Sequence, residues 1–484
     1  MARSELGVDH LLRRAGFGAS QDDLKAFEGR STSDVLQHLL DYEAQPDDVD
    51  EKIGNPAYAQ VARGAGFSPN LNIEHARQRW LFRMLHSNRP LQEKMALFWH
   101  NHFATAYSKI AGIVNGAQAT RMMALKPGEL PGPPGQIELF RAMALGSFRD
   151  LLIEVAKDPA MLFWLDGRLN TRQRPQENFG REIMELFTFG IGNYDELDVY
   201  AASRVFTGWN VRLINRGDDA NSYYEFVFNA NQHDTSAKTF TFPIYRDGNR
   251  TIPARAASDG MQDGVDFITA LATHPETARQ LARKMWNFFV SEVVEPDAAT
   301  LNSAASAYLQ NGTSIESLVH FMLRSRQFQS PVNWHTRYSW PVEYVVRAVK
   351  EVGWTGFSVD TMRNSLPAMG QMLFEPPDVN GWDLGPGWFT TGGTLARMNF
   401  AATLMANQRN NLVSALTGVA SSPEAVLEFF FDRLSTAPFA QNTREELIGY
   451  LETGGAWTGS DAQLRVKAAG VARLIVGSGE YQIA

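Results

Sequence analysis

The densest group of side chains that could do chemistry lies in the stretch RPQENFGREIMELFTFGIGNYDELDVYAASRVFTGW. On a helix, Asn178, Glu182 and Glu185 fall at positions i, i+4 and i+7, which places them in one polar stripe beside an apolar face. Two carboxylates about one turn apart could divide acid and base roles or bind a cation. The alternative is a solvated stripe whose charge Arg181 balances.

Histidines form a second candidate group. The stretch FWHNHFAT places His100 and His102 one residue apart, in a chain with ten histidines. On a helix, two residues at this spacing point about 200° apart, so a regular helix cannot aim both rings at one metal ion. Either the helix ends near Trp99, or one histidine faces a site while the other packs in the core or lies at the surface.

Two further stretches carry polar side chains that suit a loop. His233 and Asp234 are adjacent in NQHDTSAKTF, where they could converge on a ligand or form an ordinary turn. Asp166 and Asn170 lie among three arginines in WLDGRLNTRQRP. That stretch reads either as a charged loop or as a clamp for an anion or a sugar.

A glycine-rich stretch, PPDVNGWDLGPGWFTTGG, contains Trp382 and Trp388. An exposed tryptophan on such a loop is costly, so the side chains should serve a purpose. They could stack on a sugar or a peptide, or they could pack the loop onto the rest of the protein.

The segments that must position these residues are mostly helical in pattern. STSDVLQHLLDYEA, NIEHARQRWLFRMLHS and PLQEKMALFWHNHF repeat apolar residues with helical spacing, and Pro90 suits a first helical turn. Glycines at 190 and 192 are predicted to end the helix that carries Glu182, and Asp195 is predicted to cap the next one. KPGELPGPPG is predicted to be a loop.

Between residues 209 and 256 the pattern changes to Tyr, Phe, Val and Thr with partial alternation, which predicts one or two short strands in a hairpin-like insertion. The predicted fold class is therefore mainly α, a large multi-helix globular fold with a small β insertion. We expect four regions: an N-terminal helical region with the main polar motifs (1–208), the β-containing insertion (209–256), a central helical region with the Trp/Gly loop (257–410) and a C-terminal helical tail (411–484).

Composition excludes several classes of function. The formal charge of −8 and the lack of a Lys/Arg-rich run argue against nucleic-acid binding, and the lack of cysteine excludes thiolate metal sites and cysteine nucleophiles. No membrane-spanning stretch is visible. The N-terminal MARSELGVDHLLRRAGFG lacks the apolar core of a signal peptide, which predicts a cytoplasmic protein. An exported location stays open if a leader was removed.

Several of these motifs together resemble a known bacterial family. LLRRAGFG, FWHNHFAT, LDGRLNTRQRPQENFGREIMELFTFGIGNYDELDV, FTGW, HDTSAKTF and PPDVNGWDLGPGW occur in the order seen in the DUF1800 family, over roughly residues 8–400. The resemblance implies no activity, because the family is of unknown function. It does imply that the polar motifs above belong to one pocket, and members of the family often look exported.

The sequence therefore predicts a hydrolase that acts on a glycan or related polymer through a His/Glu/Asp pocket, with a divalent metal ion as the cofactor such a pocket would take. A non-enzymatic protein that binds carbohydrate or a partner through a buried polar network remains the alternative. The predicted catalytic residues are Glu182, Glu185 and Asp234, the predicted substrate-binding residues are Asp166, Asn170, Asn178, Arg181, Trp382 and Trp388, and the predicted metal ligands are His100, His102 and His233.

Overall fold

A computed structural model describes residues 3–53, 66–218, 221–353, 359–406, 412, 414–416, 418–434 and 436–484. Before the β insertion it has helices α1 (Arg3–Ala15), α2 (Gln21–Ala26), α3 (Thr32–Leu40), α4 (Val49–Lys52), α5 (Ile73–His86), α6 (Pro90–His102), α7 (Tyr107–Ile113), α8 (Gly116–Ala124), α9 (Gln136–Ala142), α10 (Phe148–Lys157), α11 (Pro159–Trp164), α12 (Asn178–Glu185) and α13 (Glu196–Val205). The strands are β1 (Trp209–Ile214), β2 (Tyr223–Phe228), β3 (Lys238–Thr239) and β4 (Thr251–Ile252). Helices follow again as α14 (Met261–Thr273), α15 (Pro275–Phe289), α16 (Ala298–Gln310), α17 (Ile315–Arg324), α18 (Arg326–Gln329), α19 (Pro341–Glu351), α20 (Val359–Ser365), α21 (Thr391–Ala406), α22 (Pro423–Arg433), α23 (Gln441–Glu452), α24 (Asp461–Gln463), α25 (Ala469–Val476) and α26 (Gly479–Gln482).

The predicted fold class is confirmed: helices make up most of the described chain, and its four β-strands all lie in the predicted insertion. There β1 pairs with β2 and β3 pairs with β4, both antiparallel, as two separate two-stranded sheets. In the described part of the chain, none of the helices has the length and apolar character that crossing a membrane requires.

Local signals mark the starts of three helices, and Pro90 and Asp195 lie where the sequence predicts them. Ser31 begins α3 with a capping box, Pro90 occupies the first turn of α6, and Asp195 begins α13 with a second capping box. In each capping box the side-chain oxygen accepts backbone N–H groups that the first helical turn leaves free.

One predicted helix end is wrong. Helix α12 ends at Glu185 and does not continue to the glycine at position 190. The Thr188 hydroxyl donates a hydrogen bond to the Ile183 carbonyl at 2.6 Å, and the Gly190 N–H donates to the Met184 carbonyl at 3.0 Å, so both residues satisfy acceptors at the helix end. The two glycines at 190 and 192 then adopt left-handed backbone angles in the following loop.

Helix α6 lies in the centre of the core. Eleven of its thirteen residues are buried, including charged ones, so it is enclosed on all sides rather than amphipathic. Glu93 is fully buried and accepts hydrogen bonds from Arg83 and from Arg141, both at 2.7 Å. The last turn of this helix carries the two histidines of FWHNHFAT. Their side chains can therefore reach a surface site only from the core.

Candidate functional site

An open cleft lies beside α12. Helix α12 supplies one wall through Asn178 and Glu182, which are one turn apart as the sequence predicts. The complete lining is Lys109, Trp164, Leu165, Asn178, Glu182, Pro377, Asp378 and Val379. Because most of the polar lining residues are exposed, the cleft is open to solvent along its length.

Glu182 is half-buried, and its environment favours the protonated form. Burial raises the pKa of its carboxyl group, the nearby charge of Glu185 raises it further, and Arg181 opposes the shift. Arg181 opposes it weakly because its guanidinium group is engaged elsewhere, donating to both carboxylate oxygens of Glu196 at 2.9 and 2.8 Å. The predicted Arg181 contact with substrate therefore competes with an existing ion pair.

Glu185 does not line the cleft with Glu182. Its carboxylate accepts a hydrogen bond from the Tyr194 hydroxyl. Burial and then this hydrogen bond raise the pKa of Tyr194 to about 12, so the phenol remains a donor. Tyr194 thus holds the Glu185 carboxylate in place, one turn along α12 from Glu182.

Lys109 and Trp164 close another side of the cleft. The Lys109 ammonium group lies 5.1 Å from the centre of the Trp164 ring and donates to the Trp164 carbonyl oxygen. It also lies 3.7 Å from the carboxylate of Asp166, a predicted substrate-binding residue whose backbone is left-handed at a φ of 59°. Asp166 is therefore at the edge of the cleft, held beside the lysine.

The remaining wall is a loop of residues 374–382, which the end of α6 holds in place. The His100 ring nitrogen Nε2 accepts the Phe374 N–H at 3.1 Å, and the Asn101 side-chain oxygen accepts the Trp382 N–H at 2.7 Å. The two residues at the end of α6 therefore anchor both ends of the 374–382 loop.

Replacing Gly381 with alanine should release this anchor. The added Cβ would lie 2.6 Å from the Asn101 backbone carbonyl oxygen, at a φ of 84° that favours glycine. We expect the free energy of unfolding to fall by about 1–3 kcal/mol, as overpacking typically costs. Gly385→Ala is the matched control, since it also has a positive φ but no atom within 4 Å of the new Cβ. Equal losses for the two variants in urea denaturation would contradict the proposed anchor.

His102 faces a different element from His100, as the helical spacing predicts. Its Nε2 lies 3.1 Å from the Phe187 carbonyl oxygen, and its Nδ1 accepts from the Lys284 ammonium group at 3.1 Å. Lys284 also donates to the Leu186 carbonyl at 2.9 Å. Burial and then Lys284 hold the pKa of His102 well below its usual range, so the ring is neutral. His102 and Lys284 thus hold the chain that leaves α12.

The three predicted metal ligands are not brought together. His233 lies in a separate buried cluster, where its Nδ1 is 2.8 Å from the Thr207 carbonyl and its Nε2 is 3.3 Å from Asp263. Asp234 pairs with Arg204 at 2.8 Å in the same cluster. Within the ranges that the structure describes, no three His, Asp or Glu side chains are arranged to hold a metal ion.

Three of the predicted substrate-binding residues are buried. The Asn170 side chain donates to the Ser203 carbonyl at 2.7 Å and so ties its loop to α13. Trp382 and Trp388 are 5% and 6% exposed, and Trp382 packs edge-on against His100. These contacts favour the packing alternative for both tryptophans.

Asn178 and Glu182 are predicted from the sequence as site residues, whereas Lys109, Trp164 and Asp378 are not. Trp164 and Asp378 occur within two of the stretches singled out above, WLDGRLNTRQRP and PPDVNGWDLGPGW, so a signal for them existed. Lys109 lies in α7, and the residues on either side of it in the sequence form no motif that would mark it as a site residue.

Comparisons with known proteins identify the family but no activity. The chain matches no curated protein and no solved structure. A family model described as "Protein of unknown function (DUF1800)" matches residues 10–483, a range that includes every residue lining the cleft. The chain therefore belongs to the DUF1800 family.

Proposed function

We propose that the protein is a hydrolase that acts on a glycan or related polymer bound in the cleft, with Glu182 as the general acid. The observation that carries the proposal is a half-buried carboxyl group with a raised pKa in an open cleft, beside an arginine that is already paired with Glu196. Enzymes that cleave glycosidic bonds keep one carboxylic acid protonated near neutral pH in this way.

In the proposed reaction the Glu182 carboxyl group gives its proton to the oxygen of the scissile bond as that bond breaks. A second carboxylate on the cleft wall, Asp378, takes a proton from the water molecule whose oxygen bonds to the sugar carbon. The water thus supplies a hydroxyl group to one product and a proton to the base, and Glu182 regains its proton from solvent.

The lining suits a polar, extended substrate. Lys109 and Asn178 offer hydrogen-bond donors to sugar hydroxyl groups, and both side chains are exposed. Trp164 lines the cleft but is only 8% exposed, so it adds a small apolar patch to the wall and not a stacking platform for a sugar ring. Because the cleft is open to solvent, a chain longer than the cleft could lie across it, which favours a polymer over a small molecule.

The second candidate is a protein that binds a glycan or a partner without cleaving it. The observation that favours it is the structural use of the histidines: His100 and His102 are buried and hold the cleft walls in place. A rigid cleft of this kind serves binding as well as catalysis.

A screen of purified protein on a panel of bacterial and plant polysaccharides separates the candidates. Hydrolysis is measured as release of new reducing ends, and binding is measured in parallel by retardation in gels containing each polymer. The proposed function expects reducing ends from at least one polymer. Retardation without release of reducing ends favours the binding protein. The absence of both release and retardation with every polymer would overturn the proposal.

A further inference from the structure

A group of buried cations lies in the core at the segment between α18 and α19. Arg14 is 0% exposed, and Lys94 and Arg337 are each 1% exposed. One carboxylate, Glu343, pairs with both Lys94 and Arg337, the latter at 2.6 Å. The Phe288 ring lies beside both of these cations, 5.3 Å from the lysine nitrogen and 4.8 Å from the guanidinium carbon.

The two guanidinium groups in this cluster retain unused donors. Arg14 donates through Nη2 to the Asn333 carbonyl at 2.8 Å, and Arg337 donates through Nη1 to Glu343. Among the described residues, the Nε and Nη1 of Arg14 and the Nε and Nη2 of Arg337 are buried without an acceptor. Four buried N–H-bearing nitrogens without partners at two neighbouring cations are unusual, because each costs free energy when left unpaired.

The charges in the cluster do not balance. Glu292 also lies near Arg14, but its two carboxylate oxygens accept backbone N–H groups, from Tyr338 at 2.7 Å and from Gly385 at 3.1 Å. Burial raises the pKa of Glu292, which further weakens it as a counter-ion. Even with Glu292 ionised, the three cations face two carboxylates. An uncompensated charge in a protein core is strongly destabilising.

We propose that a monovalent anion of about the size of chloride binds in the core between Arg14 and Arg337. Such an anion would accept hydrogen bonds from the unused guanidinium N–H groups and would balance the excess charge. Because both side chains are enclosed, the site suits a halide better than a phosphate group. The Asn333 side-chain oxygen is also unpaired, so an ordered water molecule is the competing occupant. Water would satisfy the donors but would leave the charge unbalanced.

Crystals of the full chain soaked in sodium bromide provide the direct test. The proposal expects an anomalous peak at the bromine edge within hydrogen-bonding distance of both Arg14 and Arg337. A water-sized peak at that position with no anomalous signal would overturn it, as would bromide bound only at the protein surface.

A solution measurement tests the same site independently. At constant ionic strength, replacing sodium gluconate by sodium chloride should raise the melting temperature saturably, on the order of 2 °C. Arg14→Gln should remove this dependence on the anion. Arg79→Gln is the control, since Arg79 is also buried, at 5% exposed, but is paired with Glu129 at 2.8 Å. If Arg14→Gln fails to fold, the wild-type comparison of the two salts still decides: equal melting temperatures would contradict the proposal.

Discussion

Replacing Glu182 with glutamine should lower kcat for polymer hydrolysis by about 10²–10⁴-fold, the usual contribution of a general acid. Glutamine has nearly the same shape and can still donate a hydrogen bond, but it cannot give a proton to the leaving oxygen. Since Glu182 is half-buried and its charged form is disfavoured, the variant should melt at or slightly above the wild-type temperature. KM should change little, because the side chain would still contact the substrate.

The pH dependence of kcat in the wild-type enzyme should reflect the titration of Glu182. The acid must be protonated to act, so kcat should fall as pH rises through the raised pKa of Glu182. Glu177→Gln is the control, because Glu177 immediately precedes α12, is exposed, does not line the cleft and makes only a long 3.5 Å ion pair with Arg181. Similar kcat values for Glu182→Gln and Glu177→Gln would show that Glu182 is not the general acid.

Replacing Glu343 with glutamine should lower the free energy of unfolding by about 3–5 kcal/mol, the range found when one partner of a buried ion pair is removed. The change leaves the ammonium group of Lys94 and the guanidinium group of Arg337 in the core without their shared carboxylate. Backbone geometry also depends on this side chain, since it accepts the Trp340 N–H at 2.9 Å at the start of α19.

The stability that Glu343 contributes should depend on pH in a defined direction. The two cations hold the pKa of Glu343 at about 2, against an ordinary value of 4.5, although burial alone would raise it. Its contribution is therefore present above about pH 4.5 and is lost as pH falls through about 2. Glu428→Gln, at an exposed ion pair with Arg444, should cost less than about 1 kcal/mol in urea denaturation. A comparable loss of unfolding free energy in Glu343→Gln and Glu428→Gln would contradict the claim that the buried ion pairs of Glu343 stabilise the core.

Local signals made much of the fold predictable. Capping residues and Pro90 fixed helix starts because their effects act within one turn, and β-branched and aromatic residues marked the insertion at 209–256. The end of α12 was predicted wrongly, because the glycine at position 190 is a stronger general stop signal than a threonine. The chain instead leaves the helix after Glu185, and the Thr188 hydroxyl and the Gly190 N–H each pair with a carbonyl of its last turn.

The site was predictable only where its residues share one element. Asn178 and Glu182 follow from helical spacing, and so does the divergence of His100 and His102. Helical spacing does not reveal what a diverging side chain meets, so neither histidine could be assigned to a wall of the cleft. Lys109 joins the cleft through tertiary packing alone, which no local pattern encodes.

A crystal structure of the Glu182→Gln variant with a fragment of the hydrolysed polymer bound would test directly whether Glu182 acts on the glycosidic bond. We expect a sugar chain between Trp164 and the 374–382 loop, with the side chain at position 182 within about 3.2 Å of the glycosidic oxygen. A fragment bound elsewhere, with the cleft beside α12 empty, would contradict this role of Glu182.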